Sequence, residues 1–191
     1  MIKRRELQEC GHLFEYLSHP SVFPFVRQKA TSSEEFLFMT KQLMEEERGE
    51  VISRTITDDF GMPIGTINLY DIQDQAGFLG TWIGQPFQGK GYNLKAKNLF
   101  LEELFYQYQI NTVFLRIKKH NEKSIRATEK LAYTMNAKES HLTLMKKSMQ
   151  ENINMSYTKF QKIYSTYQRL LLDLQKKSKR CKENTAYTIL V

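Results

Sequence analysis

The stretch Gly84-Gln85-Pro86-Phe87-Gln88-Gly89-Lys90-Gly91-Tyr92-Asn93 gathers the residue types that hold a polyanion. Small residues let backbone N–H groups come close to a phosphate, and Lys90 brings a charge. A helix starting near Tyr92 would add unsatisfied donors and the positive end of its dipole. Gly84 to Gly91 is one residue away from a nucleotide-binding P-loop, but that loop needs a Ser or Thr hydroxyl after its lysine to ligate Mg²⁺, and Gly91 stands there. The apolar strand that would have to end in an acidic metal partner, Val113 to Ile117, runs into Lys118-Lys119-His120 instead. A dinucleotide fingerprint fails too, because Gly89-Lys90-Gly91 lacks the third glycine and the strands before it read as antiparallel. Two readings remain: a pyrophosphate cradle that needs no metal, or an ordinary strand-to-helix turn in which glycine supplies unusual φ values.

The elements around the loop follow from periodicity. Leu7, Cys10, Leu13, Phe14 and Leu17 recur at helical spacing and stop at Ser18-His19-Pro20, and Thr31-Ser32-Ser33-Glu34-Glu35 is a capping signal for a second helix ending near Gly49. The period then changes to two. Strands are predicted over 51–57, 64–70 and 76–83, joined in meander order, with Asp58-Asp59-Phe60-Gly61-Met62-Pro63 as the first turn. No convincing strand precedes the first helix. After the glycine loop come a helix over 92–108, a strand over 111–117 and a helix over 121–131. Tyr157, Phe160, Tyr164, Tyr167, Leu171 and Leu174 then keep a 3-4-3-4-3 spacing, which predicts an amphipathic helix over 153–179. The alternating run 185–191 predicts a last strand after it. The expected fold class is α+β, a mixed, mainly antiparallel sheet flanked by helices, in a single domain over 1–191 with a helical insertion at about 150–180 before the last strand.

Composition narrows the function classes. A chain of 191 residues with 41% apolar and 26% charged residues can bury one sizeable core, and it has no apolar run near the roughly 18 residues of a membrane span. A cytoplasmic protein is expected. Cys10 and Cys181 lie at opposite ends, and His12, His19, His120 and His141 are scattered, so no metal site is expected. The net charge of +7 resides in 146–183, where ten Lys and Arg face only Glu151, Asp173 and Glu183. Without a recognition motif or interleaved aromatics, this stripe reads as a solvated helix face rather than a nucleic-acid site. The apolar side of that helix must be covered by the chain's own core or by a second copy in a homodimer.

Context decides between the two readings of the loop. Gln88-Gly89-Lys90-Gly91-Tyr92, preceded by Gly80-Thr81-Trp82-Ile83, resembles the acetyl-CoA loop (Q/R-x-x-G-x-G/A) of the GNAT acetyltransferase superfamily, most closely its ribosomal-protein N-terminal acetyltransferase branch. Downstream, Asn121-Glu122-Lys123-Ser124-Ile125-Arg126-Ala127-Thr128-Glu129-Lys130-Leu131-Ala132-Tyr133 is similar to that branch's N-x-x-S…E-K-L-G-F segment. The resemblance spans roughly 50–135.

It implies an acetyl-CoA-dependent N-acetyltransferase acting on a small-molecule or peptide amine. Strands four and five would splay to admit pantetheine, and Gln88, Gly89, Lys90, Gly91, Tyr92 and Asn93 would take the pyrophosphate. A backbone N–H near Ile83 would polarise the thioester carbonyl. The tyrosine that many members use as proton source is replaced by Thr128, which shifts that role to Ser124, with Asn121 bonding pantetheine or orienting substrate; both residues also suit helix capping. Lys95 stands where the branch carries a glutamate, so the acceptor cannot be borrowed from it. Glu50, Asp71 and His120 lie near strand ends without identifying a general base. Thr128 and the missing base also motivate an alternative, a non-catalytic acyl-CoA-binding or sensing protein.

Overall fold

The computed structural model describes residues 1–46, 50–118, 121–129, 131, 134–136 and 155–160. They fall into two units that divide after Ile110.

In the first unit, β1 (Ile2–Arg4), β2 (Ile52–Thr57), β3 (Pro63–Gln73) and β4 (Ala76–Ile83) form antiparallel neighbours in chain order. The strand β1 is one that periodicity did not reveal. Three residues are too few for an alternation to register, and Ile2 earns its place only by lying opposite Ile56. Between β2 and β3, the Asp58 carboxylate accepts from the N–H groups of Phe60 and Met62, both at 2.9 Å, and Gly61 takes φ +84°. This side chain closes the turn that the Asp-Gly composition predicts.

Every residue of β2 is buried, which gives the sheet two covered faces of different character. On one face, Ser53 lies opposite Asn68 and Thr55 opposite Thr66. Their polar groups are satisfied within the layer: Ser53 donates to Asn68, whose amide donates to the Tyr70 hydroxyl at 2.8 Å, and Thr55 donates to Glu9 at 2.6 Å. Glu9 is also held by Lys3 at 2.6 Å. Helix α1 (Cys10–Leu17) and helix α2 (Ser33–Glu46) supply the apolar part of this side, where Cys10, Leu13 and Leu17 pack with Val22, Val26 and Phe36, and Trp82 of β4 packs against them. The capping signal is realised. Ser32 accepts from Glu35 N–H at 3.1 Å, while the Glu35 carboxylate reaches back to Thr31 N–H at 2.6 Å.

The opposite face carries Ile52, Arg54 and Ile56 beside Leu69, Ile67 and Gly65. Helix α3 (Tyr92–Tyr106) turns Ala96, Lys97, Phe100, Leu101 and Leu104 inward. Arg54, 3% exposed, is gripped by both Glu103 oxygens and by the Tyr108 hydroxyl at 2.7 Å. Removing either partner of such a buried pair costs roughly 3–5 kcal/mol, because the other charge is left stranded.

In the second unit, β5 (Thr112–Lys118) and β6 (Thr134–Asn136) pair antiparallel to either side of β7 (Met155–Phe160), and α4 (Glu122–Glu129) follows β5. The strand β7 corrects one expectation. Residues 155–160 were expected to begin the amphipathic helix of 153–179, but Met155-Ser156-Tyr157-Thr158 also alternates with period two, and β5 offers the segment a full ladder from Phe114↔Lys159 to Lys118↔Met155. Cross-strand pairing outweighs a helical pattern carried here by Tyr157 and Phe160 alone. The remainder of that helix, the homodimer face drawn from it and the last strand over 185–191 lie outside the described residues. Among the described residues, no helix is long and apolar enough to cross a membrane.

Burial pushes the Lys97 ammonium down from its ordinary 10.5 to about 8. Between those values the unfolded chain binds more protons than the folded one, so stability rises with pH through that window and the charged amine opposes folding at neutral pH. We therefore expect Lys97→Met to flatten the rise in stability that wild type shows between pH 8 and 10 in thermal melts. An undiminished rise in the variant would contradict this.

Candidate functional site

The glycine loop leaves β4 at a defined point of its hydrogen-bond ladder. Gly84 N–H donates to Ile64 carbonyl at 2.8 Å, one step beyond the register pair Gly65↔Ile83. That makes Gly65 and Ile83 a non-hydrogen-bonded pair, so the N–H and C=O of Ile83 both point away from β3. The Ile83 carbonyl accepts from the Gln88 side-chain amide at 3.0 Å. Gln88 thus ties the loop back to the end of the strand, which is a different task from contacting a ligand.

A 3₁₀ turn over Gln85–Phe87, with Pro86 near its start, leads to Gly89 at φ +78° and Gly91 at φ +85°. Only glycine adopts these left-handed values readily. Neither position is tight: apart from the adjoining residues, a Cβ built on Gly89 or Gly91 meets no protein atom within 4 Å. The glycines are needed for backbone conformation, and the space beside them is open.

Gly91 is the N-cap of α3 and offers no side chain to the helix terminus. The first intrahelical bond of the helix runs from Lys95 N–H to Gly91 carbonyl at 3.1 Å. The N–H groups of Tyr92, Asn93 and Leu94 therefore have no acceptor within the helix. No acidic residue stands in the first turn to compete for them. Lys90 is held over the Phe87 ring at 5.6 Å, and it lines a groove of about 370 Å³ together with Gly91, Tyr92, Lys95 and Asp59. Uncapped donors, a dipole's positive end and a lysine suit an anion of phosphate type without a divalent ion.

The structure thus brings Ile83, Gln88, Gly89, Lys90, Gly91, Tyr92 and Asn93 together in one continuous bend. One neighbour escaped the sequence reading: Asp59, from the β2–β3 turn, accepts from the Tyr92 hydroxyl at 3.3 Å and lies 3.6 Å from Lys95. Lys95, whose charge departs from the pattern, points to this exposed aspartate. Asp71 is occupied as well, its carboxylate taking both bonds of Arg27 at 2.8 and 2.9 Å. Glu50 is exposed, and His120 lies outside the described residues.

In the second unit, Asn121 sits immediately before α4, and its Oδ1 accepts from the N–H of Ser124 at 3.3 Å. Its carbonyl accepts from Ile125 N–H at 3.1 Å. Asn121 is therefore a helix N-cap, and Ser124 stands at the third helical position. Thr128 is 1% exposed on the same helix.

The description of the acetyltransferase (GNAT) domain matches residues 3–134, more than half of the chain. The chain belongs to the GNAT acetyltransferase family. Solved GNAT structures share its fold at low sequence identity. RimL, a ribosomal L7/L12 alpha-N-protein acetyltransferase, superposes with a TM-score of 0.65 at 14% identity, over 72% of this chain and 77% of that one. Mycobacterium smegmatis RimJ, solved with CoA-disulfide, gives 0.64 at 13% identity over 72% and 70%. The spermidine N-acetyltransferase of Vibrio cholerae, solved with CoA and spermine, gives 0.63 at 14% over 72% and 82%. No match was found among curated proteins. The α+β class expected from the periodicities is thereby shown, and the family to which the chain belongs is one of acetyltransferases.

The cap predicts a measurable separation at Asn121. Asn121→Ala should lower stability in urea unfolding by about 1 kcal/mol, whereas Asn121→Asp, which keeps an acceptor at the N-cap, should stay close to wild type. Equal losses in both variants would show that the cap is not what holds this residue.

Proposed function

We propose that this GNAT protein transfers an acetyl group from acetyl-CoA to a primary amine by direct attack in a ternary complex. The observation that carries the reading is the left-handed pair Gly89 and Gly91 running into the uncapped, acid-free start of α3. Those main-chain donors would take the pyrophosphate, with Gln88 fixing the bend, Lys90 adding charge and Tyr92 and Asn93 supplying the first helical N–H groups.

The reaction needs little more than placement and one well-aimed dipole. The amine lone pair attacks the thioester carbonyl, and negative charge grows on its oxygen. The Ile83 N–H, turned away from β3, is the donor we assign to that oxygen. Collapse breaks the C–S bond, the thiolate takes up a proton and the new amide nitrogen loses one. Ser124 is assigned as the hydroxyl that donates to the departing sulfur, and Asn121 as a pantetheine contact, on the similarity of the 121–133 segment to the ribosomal-protein acetyltransferase branch. The cap at Asn121 is compatible with this, since its Nδ2 is not used in capping. A primary amine is the acceptor class shared by a protein N-terminus and a polyamine, the two kinds of substrate that the names of similar proteins give. Lys95 in place of a glutamate keeps the choice between them open to this chain's own loops. A cytoplasmic location accords with this use of acetyl-CoA.

Thr128 favours a second reading. At the position where a tyrosine is expected, it is short and 1% exposed, which accords with binding an acyl-CoA without turnover.

Calorimetry with CoA, followed by a thiol-release assay with acetyl-CoA and a panel of peptide α-amines and polyamines, tests both. The enzyme reading expects micromolar binding and thiol release that depends on the amine. Binding with no release across the panel selects the sensor, and no binding of CoA by the wild type removes both. Gly89→Glu should abolish CoA binding, through strain at positive φ and a carboxylate placed beside the anion, since the protein itself leaves room there. Ser124→Ala should slow turnover about 10–100-fold with little change in CoA affinity.

A further inference from the structure

The bend after β4 is not held by its own residues alone. Tyr16, from α1, lies directly against Gly84: a Cβ at position 84 would come within 2.8 Å of Tyr16 Cγ and 3.0 Å of its Cβ. These atoms are at the root of the side chain, so they cannot swing aside as the tip of a flexible chain would. The absence of a side chain at Gly84 is what lets the ring settle on the backbone where β4 ends. Gly84 has φ −51°, a value open to any residue, so the need for glycine here is one of space.

From that seat a row of rings extends into the loop. Tyr16 meets Phe87 edge-on at 5.5 Å, and Phe87 meets Tyr92 edge-on at 6.3 Å. Phe87 also carries Lys90 over its face at 5.6 Å, and His12 backs Tyr16 from one turn earlier at 4.9 Å. Phe87 lies in the 3₁₀ turn before the glycines, Lys90 between them and Tyr92 just after. The row therefore touches the bend on both sides of its two left-handed residues. Gly89 and Gly91 make the bend accessible to the backbone, but glycine also enlarges the set of competing conformations in the free loop. Edge-to-face contacts of this kind oppose that freedom. Among the described residues, Tyr16 makes ring contacts and no side-chain hydrogen bond.

We propose that Tyr16 is a positioning residue for the anion-binding bend, acting through Phe87 to hold Lys90 and the first N–H groups of α3 in their binding geometry before ligand arrives. The inference rests on the reading of the bend as a CoA cradle, but the ordering itself can be measured without ligand. Helix α1 thereby contributes to co-substrate affinity from a position outside the 84–93 segment.

The test compares Tyr16→Ala, Tyr16→Phe and Phe87→Leu with wild type in two measurements. In hydrogen exchange of the ligand-free protein, Tyr16→Ala should speed about tenfold the exchange of the Phe87, Gln88 and Lys95 amides, which donate to the carbonyls of Gly84, Gln85 and Gly91, while Tyr16→Phe, which keeps the ring, stays at the wild-type rate. In calorimetry, CoA should bind Tyr16→Ala about tenfold more weakly and Tyr16→Phe with wild-type affinity. Phe87→Leu cuts the row outside the core of α1 and α2, so it should reproduce the loss even if Tyr16→Ala fails to fold. Wild-type exchange and affinity in Phe87→Leu, or in a folded Tyr16→Ala, would overturn the proposal, as would a Tyr16→Phe variant as impaired as Tyr16→Ala. If wild type binds no CoA, the cradle reading falls, and the exchange rates still decide whether the ring row orders the bend.

Discussion

A helix that begins without a cap exposes donors, and everything at this site depends on keeping those donors exposed and aimed. The left-handed turns at Gly89 and Gly91 reverse the chain between the end of β4 and the start of α3, and they do so with backbone alone. A serine or aspartate at the N-cap would stabilise the helix by roughly 1 kcal/mol but would take up one of the donors that a phosphate needs. The protein forgoes that stabilisation at α3 and uses it at α2 and α4, where Ser32 and Asn121 close the helix starts with side-chain oxygens. A missing cap does not by itself mark the site, since α1 also starts without a side-chain cap bond; what sets the start of α3 apart is its approach through two glycines at positive φ.

The sheet of the first unit serves the same end. Its strand register sets which way the Ile83 N–H and carbonyl point, because hydrogen-bonding direction alternates along an antiparallel strand. One residue of slippage would turn those groups toward β3 and remove them from the site. The register is well defended. Apolar Ile52, Ile56, Ile67 and Leu69 occupy one face, and the hydrogen-bonded Ser53, Asn68 and Tyr70 occupy the other, so a shifted strand would leave polar groups unsatisfied on one side and bury charge wrongly on the other. The buried Arg54–Glu103 pair fastens α3 to this frame at the end far from the bend.

Much of this was legible in the sequence for a physical reason: strands, helices and tight turns are local, and their signals lie within a few residues. The meander of β2, β3 and β4, the helix α3 and the glycine bend fall where periodicity and turn chemistry place them, and the residues Gln88 to Asn93 were already a candidate anion site. Two elements were misread where local information was weak. β1 is too short to show a period, and Met155–Phe160 holds neither period over its whole length, so that pairing with β5 decides its state.

By itself, then, the sequence determined the chemistry available to the bend, because φ tolerance at glycine and charge at lysine are properties of single residues. Tertiary structure alone decided how those groups are used. That Gln88 turns back to Ile83, that Lys95 answers Asp59, that Asp71 is taken by Arg27 and that Tyr16 fills the space above Gly84 are contacts between residues up to 68 positions apart. No spacing rule encodes such contacts, since they arise only when separate elements are packed against one another and each side chain finds the partner or the space that packing leaves.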